Sequence, residues 1–397
     1  MTYMAQYHRG TMQILDALAG ELEQIGALGA RAAGVVRRGG TVWTSMDTGH
    51  MPHFEHAEER RGNPGLFRSS REFPDMKKGD LAFTNFCHRD VLAARERGVY
   101  VVCVTTPYWD NEFRPGGFTD ISHSNPDGLM LKDVSNEILH THMPYQQGLV
   151  DCPQIPEFKL CPCAATGAAA VHWMLNAEAA NQVASPEAGE VEKARHYLTV
   201  LTERAARASA HMDVIQEAAE VMTKRILSGG RWFARSLEHP GFETEFSVAC
   251  GPRMVNQGDW DEARDMNVMV VTAISPAFPV EVELAKEKKA EGAFLIGIAP
   301  ASLDGAVADE GLLDIADAGF DNFSPESGGV VDIPGRGQTI CPTSGVVGNL
   351  IQQMLIAQWA EEMIKAGAVP TFLRGIYQSG GREYNEAMAE TYQRRRY

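Results

Sequence analysis

No stretch of this chain is apolar over the roughly 18 residues needed to cross a bilayer, so no membrane association is expected. The opening residues, Met1-Thr2-Tyr3-Met4-Ala5-Gln6, lack the basic segment and apolar core of a secretory leader, and a cytoplasmic location is the expectation. Cysteine is scarce and odd in number, seven in 397 residues, which favours reduced thiols over a disulfide framework. Cys161-Pro162-Cys163 is a lone CxC without a second pair, a poor match to a structural zinc site. Basic residues are outnumbered, 36 against 52 acidic ones, for a formal net charge of -16. Nucleic-acid binding rests on cations that neutralise phosphates, so no nucleic-acid partner is expected. A small anionic ligand stays open, because a local cluster of backbone amides outweighs a distant, screened field.

The length exceeds one ordinary compact domain, and a 44% hydrophobic content with 22% charged residues is ample for two cores. The chain also repeats itself, which is the first thing to look for in a chain of this size. Residues 5–38 read as a long helix ending in Gly39-Gly40, then a strand-like run Thr41-Val42-Trp43-Thr44-Ser45. Residues 187–228 read the same way, ending in Gly229-Gly230 before Arg231-Trp232-Phe233-Ala234-Arg235-Ser236. A His-Pro-Phe-Glu cluster follows each strand, at His50–Glu55 and at His239–Glu243. The halves end alike too: Cys161-Pro162 with Met174-Leu175 matches Cys341-Pro342 with Met354-Leu355 at an offset of 180. The boundary falls at the polar break from Ser185 to Gly189, giving units 1–184 and 185–397 related by internal duplication.

Between these landmarks strand and helix alternate. Residues 80–84 and 99–105 are strand-like around a helix over 88–97; 268–272 and 293–298 are strand-like around a helix over 279–290. Continuous apolar strands separated by amphipathic helices predict an α/β fold with parallel sheets covered on both faces. Ligands in such sheets sit at the carboxyl ends of strands, near a topological switch point.

At its motifs the sequence resembles the SIS (sugar isomerase) family, and most its "sugar isomerase domain" branch. The resemblance is carried by Thr48-Gly49-His50, Ala57-Glu58-Glu59, Gly62-Asn63-Pro64-Gly65-Leu66 and His123-Ser124-Asn125-Pro126-Asp127-Gly128-Leu129. It continues through Asp133-Val134-Ser135, His142-Met143-Pro144-Tyr145, Phe320–Pro325 and the tail Gly380–Asn385. It implies two flavodoxin-like SIS domains, a sugar-like small-molecule substrate, and a homodimer or higher homo-oligomer. SIS domains usually hold phosphate in a Ser-x-Ser-Gly-x-Ser/Thr loop. Here that loop reads Thr84-Asn85-Phe86-Cys87-His88-Arg89 and Thr272-Ala273-Ile274-Ser275-Pro276-Ala277, and neither keeps the serine-glycine core. Pro276 also lacks an amide hydrogen. The expected ligand is therefore a non-phosphorylated polyol, or an acid group gripped by Arg89.

Shifting a carbonyl between sugar carbons needs a base at carbon and a proton shuttle between oxygens. A partly buried carboxylate suits the first task and histidine the second. The resemblance implies Glu59 as the base and His172 as the helix-borne histidine, with Gln352 at the matching place in the second half. His50 and His123 are expected to border the cleft, and Ser45, Thr84, Asn85 and Arg89 to bind substrate. No cofactor is required. A divalent metal such as zinc is an alternative, with Glu55 and Glu59 four residues apart on one helical face and His172 completing the set. The second half keeps only His239, Glu243 and Glu245, so catalysis is expected in the first half, with Glu59→Gln costing far more turnover than Glu243→Gln. The leading function is isomerisation, or a related elimination or deglycation, of a sugar or sugar phosphate. The competing function is a non-catalytic sensor of a carbohydrate derivative.

Overall fold

The apolar runs form two five-stranded parallel sheets in a computed structural model that describes all residues except 47–50, 58, 71–72, 106–127, 188–190, 240, 247–248, 257–261, 305–309, 327 and 379. His50 and His123 lie outside the described residues. The first half runs α1 (Tyr3–Leu18), α2 (Leu22–Arg37), β1 (Val42–Ser45), α3 (Met51–Glu55), β2 (Phe67–Ser69) and β3 (Leu81–Thr84). It continues α4 (Arg89–Glu96), β4 (Tyr100–Val104), α5 (Leu131–Val134), β5 (Glu137–Leu139), β6 (Gly148–Val150), β7 (Leu160–Pro162) and α6 (Ala164–Ala184). The second runs α7 (Glu192–Arg207), α8 (Met212–Leu227), β8 (Trp232–Arg235), α9 (Gly241–Glu245), β9 (Val255–Asn256) and β10 (Val268–Thr272). It ends α10 (Pro279–Ala290), β11 (Phe294–Ala299), α11 (Leu312–Ile315), β12 (Ala318–Asp321), α12 (Ser344–Lys365) and α13 (Gly381–Arg395).

The strand orders are β2-β1-β3-β4-β5 and β9-β8-β10-β11-β12, the same 2-1-3-4-5 pattern twice. Each sheet starts from a helix stopped by a glycine pair. Gly39 and Gly229 take left-handed φ values of 73° and 96°, which an L side chain rarely adopts, and Gly40 and Gly230 return their amides to Val35 and Arg225. Further correspondences were not legible as motifs. Tyr7 and Tyr197, both fully buried, donate to Pro162 O at 2.8 Å and Pro342 O at 3.2 Å. Cys161 and Cys341 share a left-handed φ of 64° and 61°.

Alternation along the strands gives each sheet two apolar faces. Leu81, Phe83, Val102 and Val104 face the long helices, while Ala82, Val101 and Cys103 face α4 and α5. In the second sheet Trp232, Val268, Val270 and Ile296 face inward, and Phe233, Met269, Val271 and Leu295 pack under α10 and α11. The two inward faces belong to one continuous core. At its centre α6 and α12 are buried nearly all round, which is why their sequences show no polar face.

The long N-terminal helix expected in each half is two helices, broken by short 3₁₀ turns at Ala19–Glu21 and Ala208–His211. The break lets the helices exchange: α2 lies along α6 and α8 along α12, while α1 crosses to α12 and α7 to α6. The helices that open the two sheets are therefore interleaved in space. Residues 1–184 alone should fail to fold, since α6 would expose the face that α7 covers. Far-UV circular dichroism and dye binding would check this, and cooperative unfolding of the fragment would contradict the exchange.

Candidate active site at the strand ends

In a 2-1-3-4-5 sheet the switch point lies between the first and third strands, where their carboxyl ends open a crevice. In the first sheet this brings together three of the expected binding residues. Ser45 and Thr84 stand in register, and Thr84 Oγ1 donates to Ser45 O at 2.9 Å while accepting the Phe86 N–H at 3.1 Å. Asn85 follows, and all three are buried. Ser45 Oγ has no hydrogen-bond partner among the described residues. Arg89 opens α4 and is exposed.

His172 lies deeper. It is buried in α6, with its ring 3.9 Å from that of His56 and Asn176 Nδ2 at 3.1 Å from its Nε2. His56 Nδ1 meets Thr44 Oγ1 at 2.9 Å. Burial pushes both imidazoles down, His172 to about 3, and the neighbouring His172 and His53 add to the fall of His56. A group with a lowered basic pKa in the fold binds fewer protons than in the unfolded chain, so its contribution is intact above about pH 6.5 and is lost on acidification toward about pH 3. Stability should fall by about 1.4 kcal/mol per pH unit in that window on account of His172. Denaturant unfolding of His172→Gln, the residue found at the matching position 352, should show a shallower acid slope. An unchanged slope would contradict the assignment.

The metal set does not assemble as the spacing implies. The helix α3 stops at Glu55, so Glu55 and Glu59 share no helical face, and Glu59 is exposed in the following turn. Glu55 is fully buried and its oxygens are taken: Arg60 Nε donates at 3.1 Å, Trp173 Nε1 at 2.7 Å, and His239 Nε2 pairs with it from the second half. Burial would raise this carboxyl, but Arg60 and His239 outweigh it and hold it at about 2. A carboxylate saturated by a guanidinium is no ligand for a cation. Among the described residues no group of three or more His, Cys, Asp or Glu side chains is placed to hold a metal ion.

The second crevice, between β8 and β10, has different chemistry. Glu243 is half-buried and accepts the Ser236 N–H at 2.6 Å, immediately after β8. Burial raises its carboxyl to about 7; Ser236 N–H and Arg235 pull it back down, and Glu281 adds to the rise. Glu281 is fully buried, paired with Arg235 Nε at 3.1 Å and with the Leu237 N–H. Glu238 caps the loop after β10. By the 190-residue offset of Gly39 and Gly229, Glu243 stands where the first half has His53, whose Nδ1 lies 3.4 Å from Ser69 Oγ. The sequence reading named Glu243 but set it below Glu59, because burial, which raises its carboxyl, is not visible in the order of residues. A polar cavity of about 370 Å³ between Asn63 and Arg336 contains none of the expected site residues.

No protein-family model matches the chain. It is similar to a UPF0309 protein of Shouchella clausii, 26% identical over 36% of this chain and 57% of that protein, and to one of Brucella canis, 27% identical over 33% and 55%. The chain thus spans about half the length of the curated relatives it matches. Among solved structures it resembles the C-terminal domain of glucosamine-fructose-6-phosphate aminotransferase from Francisella tularensis, with a TM-score of 0.51 and 10% identity over 94% of this chain and 96% of that one. It also resembles a Clostridium novyi protein assigned as a tagatose-6-phosphate ketose/aldose isomerase, with a TM-score of 0.55 and 8% identity over 92% and 88%. A Clostridium difficile protein assigned as a phosphosugar isomerase gives 0.53 and 10% over 93% and 95%. With two sheets of one flavodoxin-like strand order flanked by helices, the chain has the SIS fold.

Proposed function

We propose that this protein is an enzyme of the sugar-isomerase type, acting on a sugar-like substrate by taking a proton from carbon beside a carbonyl. One observation carries the reading: a half-buried carboxyl with a pKa of about 7 stands at a switch-point strand end. A base matched to neutral pH is what this chemistry needs. Ionised Glu243 takes the proton from the hydroxyl-bearing carbon, and the C–H electron pair forms the enediolate as the carbonyl oxygen takes the charge. The hydroxyl proton passes to that oxygen, and return of the carbon-bound proton to the former carbonyl carbon completes the shift. The Ser236 N–H fixes one carboxyl oxygen during both transfers. The sugar-phosphate chemistry for which the fold relatives from Francisella tularensis and Clostridium novyi are named supports a sugar-like substrate.

Glu59, first in the sequence reading, ranks below Glu243 because its exposure removes the burial on which its role as base rests. Ser45, Thr84, Asn85 and Arg89 are proposed to bind substrate hydroxyls in the first crevice; a role for His50 and His123, which lie outside the described residues, stays part of the proposal. A cytoplasmic homodimer or larger assembly, with duplicated halves 1–184 and 185–397, completes the proposal. Among the described residues no helix is long and apolar enough to cross a membrane. Turnover across aldoses, ketoses and their phosphates tests the reading. Specific binding without turnover of any member would favour the sensor.

A further inference from the structure

The loop after β10 matches the segment in which SIS domains usually present an anion receptor, and the loss of one amide at Pro276 was the reason to expect that receptor to be absent. The amides before Pro276 nevertheless converge. Ile274 N and Ser275 N both donate to Glu238 Oε2, at 2.9 and 2.7 Å, and Ser275 Oγ donates to Glu238 Oε1 at 2.5 Å. Two successive backbone amides and a hydroxyl on one carboxylate form an oxyanion nest, already filled. From the first half, Arg61 Nη1 reaches Ser275 Oγ at 3.3 Å, placing a guanidinium at the rim. Thr272 Oγ1, at the end of β10, is buried without a hydrogen-bond partner among the described residues.

We propose that Glu238 is a built-in ligand of this nest, so that the second half rejects phosphorylated ligands and takes a neutral, hydroxyl-rich group at its switch point. The charge balance agrees. A phosphate entering the crevice would meet Glu238 and Glu281, and Arg235, the nearest cation from β8, is already held by Glu281. It would also lose to an acceptor that is tethered to the chain and so needs no association entropy to bind. The filling is one-sided in sequence: at the 190-residue offset the first half carries Thr48, which has no charge. A phosphate-bearing ligand therefore belongs to the first half or to neither. This deepens the sugar reading by naming the substrate class at the second crevice, while the filled nest itself stands whether or not the protein turns sugars over.

Removing the resident carboxylate should open an anion site. In the full chain, inorganic phosphate at constant ionic strength should leave the wild-type thermal midpoint where chloride leaves it. Glu238→Ala should gain a phosphate-dependent rise and bind phosphate at least about tenfold more tightly by calorimetry, since charge-assisted bonds to two amides and a hydroxyl become free. Adding Ser275→Ala or Arg61→Ala to that variant should weaken the acquired binding several-fold. Should Glu238→Ala fail to fold, Glu238→Gln keeps the side-chain length without the charge and should show a smaller gain. A folded variant with no gain over wild type, or wild type that binds phosphate as tightly as the variant, overturns the proposal. Either result leaves the proton-transfer reading intact, because that is measured by turnover of unphosphorylated sugars.

Discussion

Replacing Glu55 with alanine should lower the unfolding free energy by about 3–5 kcal/mol, enough to unfold many domains of ordinary stability. The side chains of Glu55 and Arg60 are 0% and 5% exposed, so deletion of either strands the other charge away from water. Arg60 also donates to Ser344 Oγ at 2.9 Å, at the start of α12, while Glu55 receives Trp173 from α6 and His239 from the second half. Gly345 leaves the space this needs: a Cβ there would lie 2.5 Å from Glu55 Oε1. The cluster therefore ties α3, both central helices and the loop after β8 together. Urea unfolding checks the prediction. The double variant Glu55→Met/Arg60→Met should recover most of the loss, since apolar replacement of both partners leaves no stranded charge. A single-variant cost below about 1 kcal/mol, the range of exposed pairs, would contradict the assignment.

Glu243→Gln should reduce turnover about 10²–10⁴-fold, the usual range for loss of a general base, with little change in the thermal midpoint or in substrate binding. The amide keeps the shape and can still accept the Ser236 N–H, but it cannot take a proton. The base must be ionised, so wild-type turnover should rise with pH through about 7 and be lost below it. Glu59→Gln should change turnover much less. The opposite order would return catalysis to the first half, where the motif resemblance places it.

The inner strands were legible because β1, β3, β4, β8, β10 and β11 are largely apolar runs and each opening helix stops at Gly39 or Gly229, signals that depend only on neighbours in the chain. By contrast β2, β5, β9 and β12 are short and carry Arg68, Glu137, Asn256 and Asp321. The exchange of α1 and α7 was not legible, because Ala19–Glu21 and Ala208–His211 break helices without proline or a polar cluster. The loop correspondence was off by one position. Hydroxyl matching sets Thr84 over Thr272, but strand register pairs Val42 with Leu81 and Trp232 with Val268, which places Asn85 over Thr272. Ser45, Thr84 and Asn85 stand side by side because strand-end position follows from the strand itself. Glu55, Glu59 and Glu243 sorted differently because burial and partners decide a carboxyl's chemistry, and both come from distant segments: Arg60, Trp173 and His239 for Glu55, and Arg235 and Glu281 for Glu243.

Solvent-hydrogen exchange in deuterium oxide tests proton abstraction most directly. A panel of unphosphorylated aldoses and ketoses would be incubated with the full chain and followed by proton NMR at the carbon beside the carbonyl. For a sugar that raises the thermal midpoint, deuterium should enter that carbon at a rate that rises with pH through about 7 and falls to near background in Glu243→Gln. Sugars that bind specifically yet acquire no deuterium, in wild type and variant alike, would contradict the account and leave a binding protein.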